Sequence, residues 1–476
     1  MTRLLIDCET NGLLHEATQI HCIVSLDLDT GAINSYYDDA SVISDTFAGG
    51  LVAGIAAIEG ATELHGHNLL GFDLPVLRKL LGCSIAPAGG PIKVRDSLVC
   101  SQHMWLELKN NDFAFRKSHP EFPGQLIGSH SLKAWGWRLG EKKDTFSETA
   151  DWQHFTLAML NYCIQDVKTN KELIDLIVRK NYSEAALENE HRFAYLMFLQ
   201  EQHGFRFDRE AAVKLYGTLS ERRTLIEREL QAGFSGWSEE TKTPDYFELK
   251  YDMDSVERFP TKGAADARRK ELKIAPKMCS ILPGPMKVKL TAFNPGSHDH
   301  IANFLIEKYG WRPSEFGDNG KASTTEEVLS QLKYPEIPKI LEYLLVEKRI
   351  GQLAEGDKAW LRLEKNGRIH GRVMTNGAVS TRVTHSNPNL SQVPANDKMY
   401  GKECRALFCA DEGQVLVGAD ASGIQLRALG HYLHAWDGGA YSEIIVNGKS
   451  SDGTDIHTMN QKAAGFATRD MSKTFI

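Results

Sequence analysis

The spacing of apolar residues changes period several times along the chain. Leu4-Leu5-Ile6 is a short apolar run that stops at Asp7-Cys8-Glu9-Thr10-Asn11-Gly12, the pattern of a buried strand running into a turn. His67-Asn68-Leu69-Leu70-Gly71-Phe72-Asp73 leads into the apolar helical stretch Leu74–Leu77, and Asn161–Asp166 sits in a helical pattern continuing through Val167 and Leu173. From Asp208 to about Phe234, Val213, Tyr216, Leu219, Ile226 and Leu230 recur at helical spacing, with Glu221, Arg222, Arg223 and Glu227 on the surface. A second such pattern, with Ile340, Leu341, Leu344 and Leu345, runs from Pro338 to about Leu353. The two predict an antiparallel helix pair. The excursion between them, about 238–292, shows little periodicity and holds prolines at 244, 260, 276, 283 and 285. Near the C-terminus Val415-Leu416-Val417-Gly418-Ala419-Asp420 predicts a buried strand, and Arg469 and Lys473, four apart, share one face of a predicted helix.

Composition adds limits more than identity. A chain of 476 residues has room for roughly three domains. No apolar run reaches the roughly 18 residues of a membrane span, and Met1-Thr2-Arg3 leads straight into the first strand, unlike a secretory signal. Eight cysteines at 8, 22, 83, 100, 163, 279, 404 and 409 form no Cys-x-x-Cys pair, which reads as reduced thiols in a cytoplasm. The net charge of −7 speaks mildly against nucleic acid, but it hides a local excess of nine Lys/Arg over two acids between Arg258 and Lys289. That basic excursion fits a solvated loop or a flap facing DNA or a partner.

Asp7 and Glu9, two apart on a strand, point to the same side. Such carboxylates repel unless a cation lies between them. Taken alone, Asp-x-Glu is more often a solvated strand end, Asp73 a helix N-cap, and the Tyr162/Asp166 pair an exposed helix face. Together, in this order, the three segments resemble the DEDD exonuclease superfamily, in its subgroup with tyrosine in the third motif. The resemblance covers roughly the first 180 residues. It implies that Asp7, Glu9 and Asp166 hold one Mg²⁺, that Asp7 and Asp73 hold a second, and that Tyr162 orients the attacking water. Two metals about 4 Å apart suit phosphodiester hydrolysis, and an all-oxygen donor set suits Mg²⁺, with Mn²⁺ as a substitute.

A second resemblance spans the entire chain. Phe293-Asn294-Pro295-Gly296-Ser297, Lys348–Leu353, Thr381–Pro394, Cys404–Phe408, the Asp420 segment and the Arg469/Lys473 helix are similar to family A DNA polymerases. Gly128–Gly140 and Glu355–Leu361 resemble the phage branch, of the T-seven type. The resemblance implies that Asp420, helped by the Ala421 carbonyl, holds catalytic Mg²⁺ in the palm. It gives Arg469, Lys473 and His457 to the incoming dNTP phosphates, and Arg382, Asn389 and Gln392 to the primer–template. Gln425 stands where the family has a glutamate that packs against the sugar. The thumb insertion of the phage branch binds host thioredoxin; the corresponding stretch here is shorter and leaves thioredoxin as a candidate partner.

The expected architecture is an α/β ribonuclease-H-like exonuclease domain (1–183), a mainly helical thumb (184–368) with an inserted tip at about 238–292, the first part of an α+β palm (369–445) and the start of the fingers (446–476). A second palm carboxylate and a fingers tyrosine, which the resemblance implies beyond Ile476, are not in this sequence. The expectation is therefore the N-terminal subunit of a split DNA polymerase with proofreading activity, working in a bacterial host cytoplasm with a separate C-terminal fragment. The alternatives are a free-standing 3′-5′ exonuclease with a vestigial polymerase region and a non-catalytic DNA-binding assembly subunit.

Overall fold

A computed structural model describes residues 2–475, except 142–150, 253 and 254. The chain divides into two compact units, residues 1–409 and 410–476. The division falls inside the stretch expected to be palm. Its physical reason is a strand pairing: Phe408–Cys409 is bonded antiparallel to Phe205–Phe207, tying the chain up to residue 409 into the first unit.

The first unit begins with a six-stranded mixed sheet ordered β4-β3-β2-β1-β5-β6. The strands are β1 (Arg3–Thr10), β2 (Ile20–Asp27), β3 (Ile33–Tyr36), β4 (Phe47–Gly49), β5 (Glu63–Gly66) and β6 (Lys93–Asp96). β1 lies near the centre, antiparallel to β2 and parallel to β5. Its alternation separates two cores. Leu4, Ile6 and Cys8 pack with Ile58, Leu64 and Leu77 on one side, while Leu5 packs with Leu160, Cys163 and Val167 on the other. The helices on these faces include α1 (Leu51–Glu59), α2 (Asp73–Leu81), α3 (Ser97–Met104), α4 (Leu108–Ser118), α5 (Leu132–Leu139) and α6 (Leu157–Arg179). Ser131 caps α5 by accepting from Ala134 N, and Trp135 is buried, as its apolar spacing requires.

Helix α7 (Glu184–His203) leads through β7 (Phe205–Phe207) to α8 (Arg209–Gly233), which Asp208 caps. The expected partner helix runs from Ile337 to Ile350 and ends in a π-helical turn, Gly351–Glu355. The two helices share a core that includes Leu219, Ile226, Ile340, Val346 and Ile350. Arg222 pairs with Glu342 and Arg223 with Glu347 along their flank.

The excursion between them is structured. Gly236–Pro244 pairs with Met286–Ala292, and a three-stranded sheet of Phe247–Lys250, Val256–Phe259 and Ser280–Pro283 packs on the helix Lys262–Glu271. Several basic residues of this module are already paired, including Arg268 with Glu257 and Arg269 with Asp266.

One expectation is corrected. Val415–Asp420 forms no strand, and Val415, Leu416 and Val417 are 81%, 59% and 89% exposed. An apolar strand needs ladder partners and a cover on its faces, and no strand among the described residues pairs with it. The second unit otherwise consists of the helices Ile424–Asp437, Ala440–Asn447, Ile456–Ala464 and Arg469–Phe475. Among the described residues no helix is long and apolar enough to cross a membrane.

Candidate active site

Asp7 and Glu9 continue the β1 face that carries Leu5, and α6 covers that face. The first turns of α6 bring Cys163 and Asp166 towards the strand end. Cys163 Sγ lies 3.3 Å from Asp7 Oδ2, and donor atoms of Asp7, Glu9 and Cys163 all fall within 4.8 Å of one another. From the other side of the sheet comes α2. Its first residue, Asp73, is only 2% exposed, and its Oδ1 accepts the Cys8 backbone N–H at 3.1 Å. Asp73 is thus not the helix cap, a position held by Phe72. It is docked on the β1 backbone at Cys8, the residue between Asp7 and Glu9 in sequence.

The electrostatics record the crowding. Burial pushes the Glu9 carboxyl well above its usual range, and Asp7, Asp166 and Asp73 push it further. Asp73 is likewise raised, first by burial and then by Asp7. Acids from three remote segments therefore act on Glu9, while the tight donor cluster among the described residues is Asp7, Glu9 and Cys163, without Asp73 or Asp166. Hard oxygen donors that repel one another fit a divalent cation, which would relieve the repulsion. Tyr162 packs edge-on against Trp152, ring centres 6.3 Å apart.

Two features here were not foreseen from sequence. Cys163 adds a thiol beside Asp7, and the only sequence signal was its adjacency to Tyr162. Asp96 braces the loop before Asp73: its carboxylate accepts from Asn68 N at 2.9 Å, Leu70 N at 3.0 Å and Leu98 N at 2.9 Å. Its own N–H donates to His191 Nε2 at 2.7 Å. An Asp ahead of a helix reads as an ordinary cap, and it is one for α3 as well.

Asp7 and Asp166 open into a cleft of about 910 Å³. Its lining includes Trp105, Lys109 and the Gly128–Ser131 turn from the sheet domain, together with Arg372, Met374 and Asn376–Val379 from far along the chain. Burial holds the His130 imidazole down to about 4, so it lines this cleft as a neutral ring at pH 7.

The other expected residues fall elsewhere. In the first unit, Arg382 and Gln392 are exposed, and Asn389 caps the short turn Leu390–Gln392 by accepting from Ser391 N at 3.1 Å. In the second unit, Asp420, Ala421 and Gln425 are exposed around the start of the helix Ile424–Asp437. Arg469 donates twice to Asp455, at 2.7 and 3.1 Å, and Asp455 also accepts from Thr458 Oγ1 at 2.6 Å. The Arg469 hydrogen bonds hold the Asp455 carboxyl far below the usual range. Burial, Arg469 and Lys473 all press the His457 imidazole down, so His457, Arg469 and Lys473 form one electrostatic group. Lys473 pairs with Asp470 at 3.2 Å.

Residues 270–473 match DNA polymerase family A. Over 99% of its length the chain is 34% identical to the DNA-directed DNA polymerases of Enterobacteria phage T3 and Escherichia phage T7, and it covers 74% of each. A thermostable DNA polymerase I of Thermus thermophilus is 32% identical over 169 residues, which is 35% of this chain and 19% of that protein. Among solved structures, the POL domain of Pol1 from M. smegmatis in complex with DNA primer-template and dNTP superimposes with a TM-score of 0.56. That alignment has 14% identity and covers 100% of this chain and 66% of that one, a likeness of fold alone. The chain belongs to DNA polymerase family A, in the branch of the phage T3 and T7 enzymes.

Proposed function

We propose that this chain is a phage-type DNA-directed DNA polymerase component with its own two-metal 3′-5′ proofreading exonuclease in residues 1–183. The observation that carries the exonuclease reading is the convergence of Asp7, Glu9, Asp73 and Asp166 from a strand and two helices. The sheet order, with its central antiparallel pair and parallel extension, supports a ribonuclease-H-like reading of this domain. Asp7, Glu9 and Asp166 would hold one Mg²⁺, and Asp7 with Asp73 the other. When bound, the metals supply an activated water and neutralise charge on the leaving 3′ oxygen. The chain's own residues do the rest: Tyr162 orients the water, and the burial around Glu9 and Asp73 strengthens every charge interaction at the site. The test is digestion of 3′-labelled single-stranded DNA with Mg²⁺. Asp7→Ala and Asp166→Ala should each lose more than about a hundredfold, beyond the loss typical of outer-shell partners. Undiminished digestion by Asp7→Ala would refute the metal assignment.

In the polymerase region, Asp420 with the Ala421 carbonyl serves as the first palm ligand, and Arg469, Lys473 and His457 take the dNTP phosphates as charge-assisted donors. Residues 184–368 act as thumb, 369–445 as palm and 446–476 as fingers, with Arg382, Asn389 and Gln392 on the primer–template. The second palm carboxylate would come from polymerase sequence outside these 476 residues. The bare apolar run Val415–Val417 supports that reading, because it asks for a covering strand. The module at 238–292 is the place where thioredoxin or duplex DNA would dock. One observation favours the runner-up, a free-standing exonuclease: Arg469 is already held by Asp455. That reading predicts that Asp420→Ala changes nothing measurable, whereas a split polymerase loses nucleotide incorporation on primed template.

A further inference from the structure

The acidic cleft has a wall from the polymerase-family region. Arg372–Met374 and Thr384–Ser386 form a hairpin, with Arg372 opposite Ser386 and Met374 opposite Thr384. The loop that follows the first strand is fastened to the sheet domain and to α7. Asn376 is buried, its Oδ1 lies 3.1 Å from His103 Nδ1 on α3, and its Nδ2 donates to Glu190 Oε2 on α7 at 2.7 Å. Gly377 lets the loop close: a Cβ there would stand 1.8 Å from Thr384 Oγ1. So the Arg372–Val379 arm is a pinned element of the cleft that holds Asp7 and Asp166.

Its charge pattern suits an anionic strand. Lys109 and Arg372 are exposed on this cleft, and neither is in an ion pair among the described residues. Glu201 lies within electrostatic reach of Arg372 and tempers it without pairing. Trp105, edge-on to Trp135 at 5.1 Å, is the aromatic of the lining. At about 910 Å³ the cleft is near the top of the range, roughly 300–1,000 Å³, for sites that enclose a small ligand. That is room for a few nucleotides of one strand and not for a duplex. Basic residues that follow a backbone, interleaved with an aromatic, are how single strands are held.

We propose that the Arg372–Val379 arm and Lys109 form a track for a single-stranded DNA 3′ end, Arg372 and Lys109 each gripping a backbone phosphate and delivering the strand to Asp7 and Asp166. The inference rests on the exonuclease reading and adds to it that the polymerase-family hairpin selects the strand. Arg382, four residues before Ser386, sits on the same hairpin. One element would then meet the strand both as primer and as substrate for removal.

The experiment uses the full chain and two readouts. Binding of a short 5′-labelled oligothymidylate is followed by fluorescence anisotropy in Ca²⁺ across a salt series. Cleavage with Mg²⁺ is compared between that oligomer and the p-nitrophenyl ester of thymidine 5′-monophosphate, which needs no track. Arg372→Ala should bind the oligomer about tenfold more weakly, the effect of one charged hydrogen bond, and flatten the log–log salt slope by about 0.7. Arg372→Lys should restore most of that slope, and Lys109→Ala should behave like Arg372→Ala. The loss of cleavage on the oligomer should exceed any loss on the ester by about tenfold. Parent-like affinity and salt slope in both alanine variants, with parent-like melting showing them folded, overturns the track whatever the cleavage result. If the parent cleaves neither substrate while the binding difference persists, the exonuclease reading falls and the track stands.

Discussion

At the scale of single residues, the candidate site is braced by groups that lie outside its acids. His191 is buried, donates from Nδ1 to Leu187 O at 2.6 Å and accepts the Asp96 N–H at Nε2. Burial depresses its imidazole from 6.5 to about 4. The unfolded chain therefore binds a proton near pH 6.5 that the folded chain refuses until about pH 4. His191 costs nothing above pH 6.5, and stability is lost as pH falls through that window, levelling off below pH 4 at about 3 kcal/mol. Against His191→Gln, which lacks the titration, the parent's advantage should be largest above pH 6.5 and shrink steadily towards pH 4 in denaturant titrations. A constant difference would remove His191 as the source. Asp7 and Glu9 were legible in the sequence because strand periodicity puts residues two apart on one side whatever surrounds them. His191, Cys163 and Arg372 were not, since each acquires its role from a contact with a segment dozens to hundreds of residues away.

At the scale of elements, strong periodicity survived folding and weak periodicity did not reveal itself. The helices Arg209–Gly233 and Ile337–Ile350 formed where Leu219, Ile226 and Ile340 recur, because a continuous apolar stripe has one efficient way to be buried. Ile340 is fully buried in that seam, so Ile340→Ala should cost about 2–5 kcal/mol. Arg222→Ala, across a partly exposed pair with Glu342, should cost less than about 1 kcal/mol. Chemical denaturation of the two variants distinguishes packing from ion pairing as the glue, and equal costs would contradict this assignment. The module at 236–292 was opaque because three of its strands have only 4 residues each, and Met286–Ala292 alternates Lys287 and Lys289 with the exposed Val288 and Leu290. With both sets of side chains in solvent, no buried face imposes a pattern.

At the scale of the whole molecule, the misread strand at Val415–Asp420 is the most informative failure. Its sequence was written for a central position, apolar on both faces, yet in this chain Val415, Leu416 and Val417 lie open. Covering three such side chains is worth roughly 5 kcal/mol, enough to drive association of a complementary strand. The split-polymerase reading turns this into a measurable expectation. In hydrogen exchange of the chain alone, the amides of residues 415–420 should exchange almost as fast as an unfolded peptide, since no strand among the described residues bonds them. On adding a polypeptide that carries the remaining palm, together with primed template, the same amides should slow by orders of magnitude as nucleotide incorporation appears. The two changes must arrive together, because the ladder that protects Val415–Val417 would also bring the second carboxylate to Asp420. Incorporation without protection would place the completing residues elsewhere, and protection without incorporation would leave the exonuclease as this chain's sole chemistry.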